Sequence, residues 1–518
     1  MNLLFKKIHS TKIVTLCFAT ATVVDRIVAA ISMVLIIRLF GVSELTDAYF
    51  VIIFLPVTIG IILNDISYAT ILQLFSKTDN NQEVWRYICK LVKFSITSMA
   101  FLAGLFVLFA PFLMHLQAPG FSSATFEFSE RVFRWASLLL IFVGVGGVFS
   151  NILIARDQIV AGAFRQPIGS IVALGVSLYL AIHNNMGVKS FVYGLLVGHF
   201  ITFTISAFAV VRIGEGRKFI WRDTQSSEPF RQLFVNSTLT IVTNASYYLM
   251  VFVERFVASM VAPGAITLIN MGRVFVTIMG FLPSSFANAW YQRSIKKITF
   301  TRSVNQQIHL IQDFLYYCLL LGAPILVVTL LVYQDALAFL FKAKLHQEQI
   351  IQLQSVTSIM IAGFLHVFLL GALIRVFQSI NSYKGIVYFS IIGLALDIFL
   401  LWILGKYYGI IGLAWAYTIA LTMETFVAVI LLIPAFTIRI LQIHTLKLML
   451  AGCATYVSTY TVMDFINISS FIPLVLFASI VVMIVFSLIG MLIRLPYLQT
   501  SFALVWAKVK RGNCQVLS

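Results

Sequence analysis

The chain has 518 residues, of which 60% are hydrophobic, only 11% are charged and 46 are Phe. Apolar runs of ~20 residues, the length a helix needs to cross a bilayer, recur along it, which excludes a set of soluble domains and points to one membrane domain. The formal charge of +17 would suggest nucleic acid in a soluble protein, but here its meaning depends on which loops carry it.

In chain order, spans are expected near residues 13–40, 47–75, 87–114, 130–155, 159–183, 188–212, 230–261, 264–292, 306–333, 350–376, 385–404, 409–437, 446–464 and 470–493. The start, Met-Asn-Leu-Leu-Phe-Lys-Lys, runs into the first span without a small-residue cleavage motif, so that span is expected to be retained. Lys and Arg gather in the first tail (Lys6, Lys7), in every second loop (Lys77, Arg217, Lys218, Arg222, Arg293, Lys296, Lys297) with Lys90 at the adjoining end of the third span, and in the last tail (Lys508, Arg511). Cytoplasmic loops retain positive charge, so both termini are predicted inside, and the excess charge is topology with no nucleic-acid partner implied. The fold class predicted is an all-α polytopic membrane protein of about fourteen transmembrane helices.

Cys17, Cys89, Cys318, Cys453 and Cys514 are scattered, with no CxxC pair and no His cluster, so neither a disulfide framework nor a metal site is expected. A Walker sequence and an HExxH motif are missing as well, and Gly144-Val145-Gly146-Gly147 lies within a span, where close helix packing explains it better than a phosphate loop does. Enzymatic activity is therefore not expected, and no cofactor is implied beyond possible Na+ or H+ coupling.

A weak internal repeat is present. Gly41 opens the second span and Pro263 the eighth (263 − 41 = 222), and Gly187 opens the sixth and Gly409 the twelfth (409 − 187 = 222). Many transporters are built from two such related bundles around a central site. The expected plan is two pseudo-symmetric six-helix lobes plus two C-terminal helices: residues 1–213, a polar cytoplasmic linker at 214–229, residues 230–438, and a trailing pair with its tail at 439–518.

Leu39-Phe40-Gly41-Val42-Ser43-Glu44-Leu45-Thr46-Asp47-Ala48-Tyr49-Phe50 resembles the Phe-Gly…Thr-Asp-Ala-Phe-Phe signature of the MurJ (MviN) lipid II flippases of the multidrug/oligosaccharidyl-lipid/polysaccharide exporter superfamily. Gln117-Ala118-Pro119-Gly120-Phe121 is similar to that family's outer Ala-Pro-Gly-Phe loop, and Asn151-Ile152-Leu153 with Ala163-Phe164 to its later Ile-Leu-Asn…Pro-Ala-Phe region. The resemblance implies alternating access in the bacterial inner membrane. Two lobes rock about a cavity while the headgroup of a polyprenyl-pyrophosphate-linked glycan crosses and its tail stays in lipid. The partners implied are that substrate, membrane lipids and proteins of cell-envelope synthesis.

A pyrophosphate cannot cross hydrocarbon unpaired, and Arg binds its oxygens in a bidentate fork. Arg26, Arg255 and Arg273 lie inside spans, where each costs ~2.5–3.5 kcal/mol on insertion scales and so needs a partner or a wet cavity. By the resemblance, Arg26 and Arg273 stand at the family's cavity arginines and are the best candidates for headgroup contact. Two readings remain open at this level. Asp25 adjoins Arg26 and Glu254 adjoins Arg255, so structural ion pairs would also account for both arginines, and Arg255 is close enough to the outer surface to snorkel. Where the family has a second arginine six positions after the first, this chain has Ser32, and the residue before Arg273 is Gly272 in place of Asp.

Asn236, Thr240, Thr243, Asn244 and Tyr247 recur at helical spacing in the seventh span, as a cavity or cation-ligating stripe or as interhelical glue. Asp397 and Glu424 are lone intramembrane acids, the usual material of ion coupling, or protonated structural carboxyls. Asp47, at the outer end of the second span, either caps a helix start or takes part in gating with Arg38 or Arg26. A cation-coupled drug antiporter of the same superfamily and a non-transporting membrane scaffold are the competing classes. An acid-dominated cavity would favour the antiporter, and loss of the cationic one would favour the scaffold.

Overall fold

The computed structural model describes residues 11–77, 81–156, 158–213, 228–277, 304–342, 344–380, 382–432, 439–465, 471–493 and 495, and among them every element is helical. The helices are α1 (Thr11–Phe40), α2 (Glu44–Lys77), α3 (Asn81–Leu108), α4 (Ala110–Gln117), α5 (Ser123–Ala136), α6 (Gly146–Ala155), α7 (Ile159–Ala163), α8 (Arg165–Ile182) and α9 (Lys189–Ile213). They continue with α10 (Glu228–Val261), α11 (Ala265–Thr277), α12 (Val304–Phe341), α13 (Gln347–Ala362), α14 (Phe364–Ser379), α15 (Tyr383–Leu432), α16 (Arg439–Phe465) and α17 (Phe471–Leu492). A π-helical turn, Leu140–Val145, joins α5 to α6.

Eight helices among the described residues are long and apolar enough to cross a bilayer, or nine if the bent pair α13 and α14 is one span. The predicted count of fourteen goes beyond these. The predicted linker falls, apart from its last two residues, outside the described residues, as does the eighth span past Thr277.

The chain forms two compact units. One comprises Met1–Val274 with Ser390–Tyr417, and the other Phe275–Phe389 with Thr418–Ser518. In the first, α8 and α9 pack face to face through small residues. Gly194 and Gly198 of α9 form a GxxxG pair, and a Cβ at either would run into the α8 backbone at Ala173, Ser177 or Gly169. Without a hydrophobic drive between helices in lipid, such close backbone approach is what holds membrane helices together. Gly147 abuts Asn64 of α2 with no room for a side chain, and Asn151 Nδ2 donates to the Asn64 carbonyl (2.9 Å) and to Ser67 Oγ (2.7 Å), fixing α6 to α2. At the π-turn, where the i→i−4 ladder is interrupted, Arg165 Nη2 donates to the Phe142 carbonyl at 3.1 Å, and its guanidinium lies against Gly146.

Four glycines among the described residues adopt positive φ: Gly41 (72°), Gly187 (63°), Gly264 (86°) and Gly409 (59°). Each stands at the start of a membrane helix, preceding α2, α9, α11 and the second half of α15, where a left-handed residue turns the chain back at no steric cost. They fall into two pairs, 264 − 41 = 223 and 409 − 187 = 222 positions apart. The same turn therefore recurs at the repeat interval, and the conformational counterpart of Gly41 is Gly264, one residue beyond the Pro263 that the sequence spacing selects.

In the second unit, α13 and α14 bend by 40° at Gly363. Thr418 Oγ1 donates to the Ile359 carbonyl (3.1 Å) and Thr425 Oγ1 to that of His366 (3.3 Å). An apolar cavity of about 470 Å³ opens among α12, α14 and α16, lined by Leu319, Ala323, Leu326, Leu448, Cys453 and Tyr456.

Candidate functional site

The signature segment around Asp47 builds the start of α2. The Ser43 amide donates to Thr46 Oγ1 (2.9 Å) and the Thr46 amide to Ser43 Oγ (3.4 Å), a reciprocal capping box that leaves Asp47 free of that duty. The Asp47 carboxylate caps a different helix. Buried to 1% exposure, it accepts the amides of Gly264 and Thr267 (both 2.7 Å) and the Thr267 hydroxyl (2.6 Å) at the start of α11. Neither Arg38 nor Arg26 is among these partners. Next to it, Glu44 accepts the amide and the hydroxyl (2.8 Å) of Ser122, the N-cap of α5, and the Gly120 amide donates to Ser259 Oγ (3.3 Å) near the end of α10. The predicted outer ends of α2, α5, α10 and α11 are thus tied together by the two sequence motifs, Gly41–Phe50 and Ala118–Phe121.

The intramembrane charges pair differently from their order in sequence. Neighbouring residues on a helix point ~100° apart, so Glu254 and Arg255 face different sides of α10. Glu254, 5% exposed at its side chain, forms its ion pair with Arg273 of α11, and the Arg273 guanidinium also lies over the Tyr417 ring at 5.1 Å. Arg255 turns the other way, to α2, donating to the Phe50 carbonyl (2.9 Å) with its guanidinium 4.0 Å from the Phe54 ring centroid. A desolvated contact of that kind is worth ~2 kcal/mol. At 8% exposure Arg255 does not snorkel, because α2 covers the route. Among the described residues it makes no ion pair, so two buried guanidiniums share the field of one carboxylate.

Arg26 is exposed on α1, and no ion pair joins it to Asp25 among the described residues. Asp25 instead accepts Ser170 Oγ of α8 at 2.6 Å. Arg26 and Asp65 both act electrostatically on Tyr248, whose ring packs 5.4 Å from that of Tyr247, and Tyr247 in turn is an electrostatic neighbour of Arg255 and Arg273. Arg26 and Arg273 are thus electrostatic neighbours of Tyr248 and Tyr247 respectively, two adjacent residues of α10. Ser32 bonds its own helix at the Val28 carbonyl (2.9 Å).

Asn236, Thr240, Thr243 and Asn244 fall on α10, and their side chains lie outside the described residues. Asp397 is buried in the first unit within electrostatic reach of Tyr417, whereas Glu424 is buried in the second. Among the sequence-selected residues, Asp397, Arg255 and Arg273 thus belong to one electrostatic neighbourhood, and Glu424 and Ser32 do not contribute to it through any contact described above. The residues that sequence reading passed over are Tyr417 and Thr267, which reveal themselves only by their partners. For Glu254, its i, i+7 spacing from Tyr247 would have set it on the face of the polar stripe.

A profile of the family described as Lipid II flippase MurJ matches residues 36–492. Among solved structures, a lipid II flippase MurJ in an inward closed conformation superposes with a TM-score of 0.75 at 20% identity, covering 91% of this chain and 98% of that one. An inward-facing multidrug resistance MATE family transporter of the MOP superfamily gives 0.63 at 12% identity, with 82% and 97% covered. A MOP superfamily transporter from Pyrococcus furiosus gives 0.58 at 13%, with 84% and 96% covered. No curated protein matches by sequence. These likenesses fix the transporter fold, and with the profile spanning most of its length the chain belongs to the lipid II flippase MurJ family, multi-pass proteins of the bacterial inner membrane that are transporters and not enzymes.

Proposed function

We propose that this protein moves a polyprenyl-pyrophosphate-linked glycan, lipid II or a related cell-envelope precursor, across the inner membrane by alternating access, with both termini in the cytoplasm. The observation that carries the reading is the pair of buried guanidiniums, Arg255 and Arg273, beside the Glu254 carboxylate, since arginine forks of this kind suit the path of a phosphate anion. An acid-dominated cavity, as an antiporter for cations would need, is not what this cluster provides.

In this reading Arg26 and Arg273 take the pyrophosphate, Arg255, Asp25, Ser32 and Asn244 line its route, and the lobes 1–213 and 230–438 rock about it. Asp47 works as the outer latch, since parting α2 from α11 requires three hydrogen bonds to break together. Asp397 and Glu424, with Asn236 and Thr240, are the coupling candidates, and Asp397 is favoured because it neighbours Tyr417 and through it Arg273. The apolar cavity among α12, α14 and α16 offers a polyprenyl tail a surface that a soluble substrate has no use for.

The test is complementation. The chain is expressed in a bacterium whose own lipid II flippase can be depleted, its membrane level is checked by immunoblot, and growth and lysis are followed. Rescue makes lipid II a substrate. Lysis despite full expression excludes lipid II and leaves other lipid-linked glycans to be assayed by headgroup translocation in vesicles.

A further inference from the structure

In a medium of low dielectric a guanidinium needs an anion, and Arg273 is ion-paired to Glu254. The pair is almost dry, with side-chain exposures of 12% and 5%, and the face of the guanidinium is covered by Tyr417. A phosphate group cannot reach the same fork of N–H donors while the carboxylate occupies it. The residue directly before this arginine is Gly272, and the acid comes from α10, nineteen residues earlier. The carboxylate and the guanidinium thus sit on separate helices, α10 and α11, joined by a short turn at Gly264.

Building on the proposed transport of a pyrophosphate-linked lipid, we propose that Glu254 is a built-in placeholder anion. It holds Arg273 in the empty transporter and is displaced by the substrate's pyrophosphate, while the released carboxylate stays in the field of Arg255, which keeps its own contacts to α2. Arg255 is suited to this because it has no carboxylate partner of its own among the described residues and lies within electrostatic reach of Glu254. In the exchange one carboxylate leaves the Arg273 fork as a multiply charged phosphate group takes its place, so the buried guanidinium is never bare. The placeholder also sets a threshold for selectivity. A bidentate, multiply charged pyrophosphate can outcompete one carboxylate at an arginine fork, whereas a monoanionic headgroup gains nothing by the swap.

The experiment uses the full-length protein in nanodiscs, with two probes, inorganic pyrophosphate and undecaprenyl pyrophosphate, titrated by calorimetry against wild type, Glu254→Gln, Arg273→Gln and the double variant. Glu254→Gln is expected to bind inorganic pyrophosphate at least tenfold more tightly than wild type, a gain that a merely structural residue would not give, and the double variant is expected to lose it. Acetate binding should stay flat across all four. If Glu254→Gln elutes as a monodisperse protein and shows no gain for inorganic pyrophosphate, the placeholder role is overturned. If it does not fold, Glu254→Asp, which withdraws the carboxylate by one methylene, takes its place with an expected gain of at least threefold, and no gain there overturns the role equally. A gain for inorganic pyrophosphate with no binding of the lipid by any variant keeps the placeholder and rejects the polyprenyl substrate.

Discussion

The carboxylate of Asp47 accepts both the amide (2.7 Å) and the hydroxyl (2.6 Å) of Thr267, 220 residues along the chain. A negative charge at the first turn of α11 also meets the positive end of that helix, so hydrogen bonding and dipole act in the same sense. Asp47→Ala would leave buried donors on Gly264 and Thr267 without acceptors. The expected cost is about 2–5 kcal/mol, seen as a lower unfolding temperature in detergent, with Asp47→Asn losing less because its amide oxygen still accepts. Equal unfolding temperatures for wild type and Asp47→Ala would remove the latch.

Arg273→Ala cannot be read as a simple test of transport, because it removes the ion-pair partner of the buried Glu254 carboxylate at a cost of about 3–5 kcal/mol. The informative comparison is with the Arg273→Gln/Glu254→Gln pair, which removes both charges and keeps a polar side chain at each position. Expression of the double variant is expected to return to near wild type while flipping activity stays lost. Active double-variant protein in the complementation assay would take Arg273 out of the substrate path.

Arg26 is exposed and holds no ion pair among the described residues, so its removal should spare the fold. Arg26→Ala is expected to reach wild-type membrane levels and unfold within about 0.5 kcal/mol of wild type, as surface changes do, yet to fail in complementation. Growth at the wild-type rate would assign Arg26 a passive role.

The α8–α9 interface makes a purely structural prediction. Gly198→Leu would drive a side chain into the backbone at Gly169 and Ala173, where overpacking costs about 1–3 kcal/mol or parts the helices. Membrane levels measured by immunoblot should fall, while Gly175→Leu on α8, where a Cβ meets open space, should not change them. If both variants accumulate alike, the close contact does not hold the two helices.

Much of the fold was legible in the sequence because the bilayer imposes a local rule: a spanning segment must be apolar over its own length and satisfy its own backbone, whatever lies beside it. That rule gave an all-helical membrane protein, and the spacing of turn residues gave a repeat in which Gly41, Gly187 and Gly409 adopt a left-handed turn, with Gly264 standing where the spacing selects Pro263. Partnerships did not follow from it. Glu254 stands beside Arg255 in the chain but beside Arg273 in space, and Asp47, which opens its own helix, caps another. Hydropathy is a property of each residue, whereas pairing depends on which faces of which helices the packing brings together. The sequence by itself determined what this protein is made of and where it resides; only the tertiary structure decided which charge answers which.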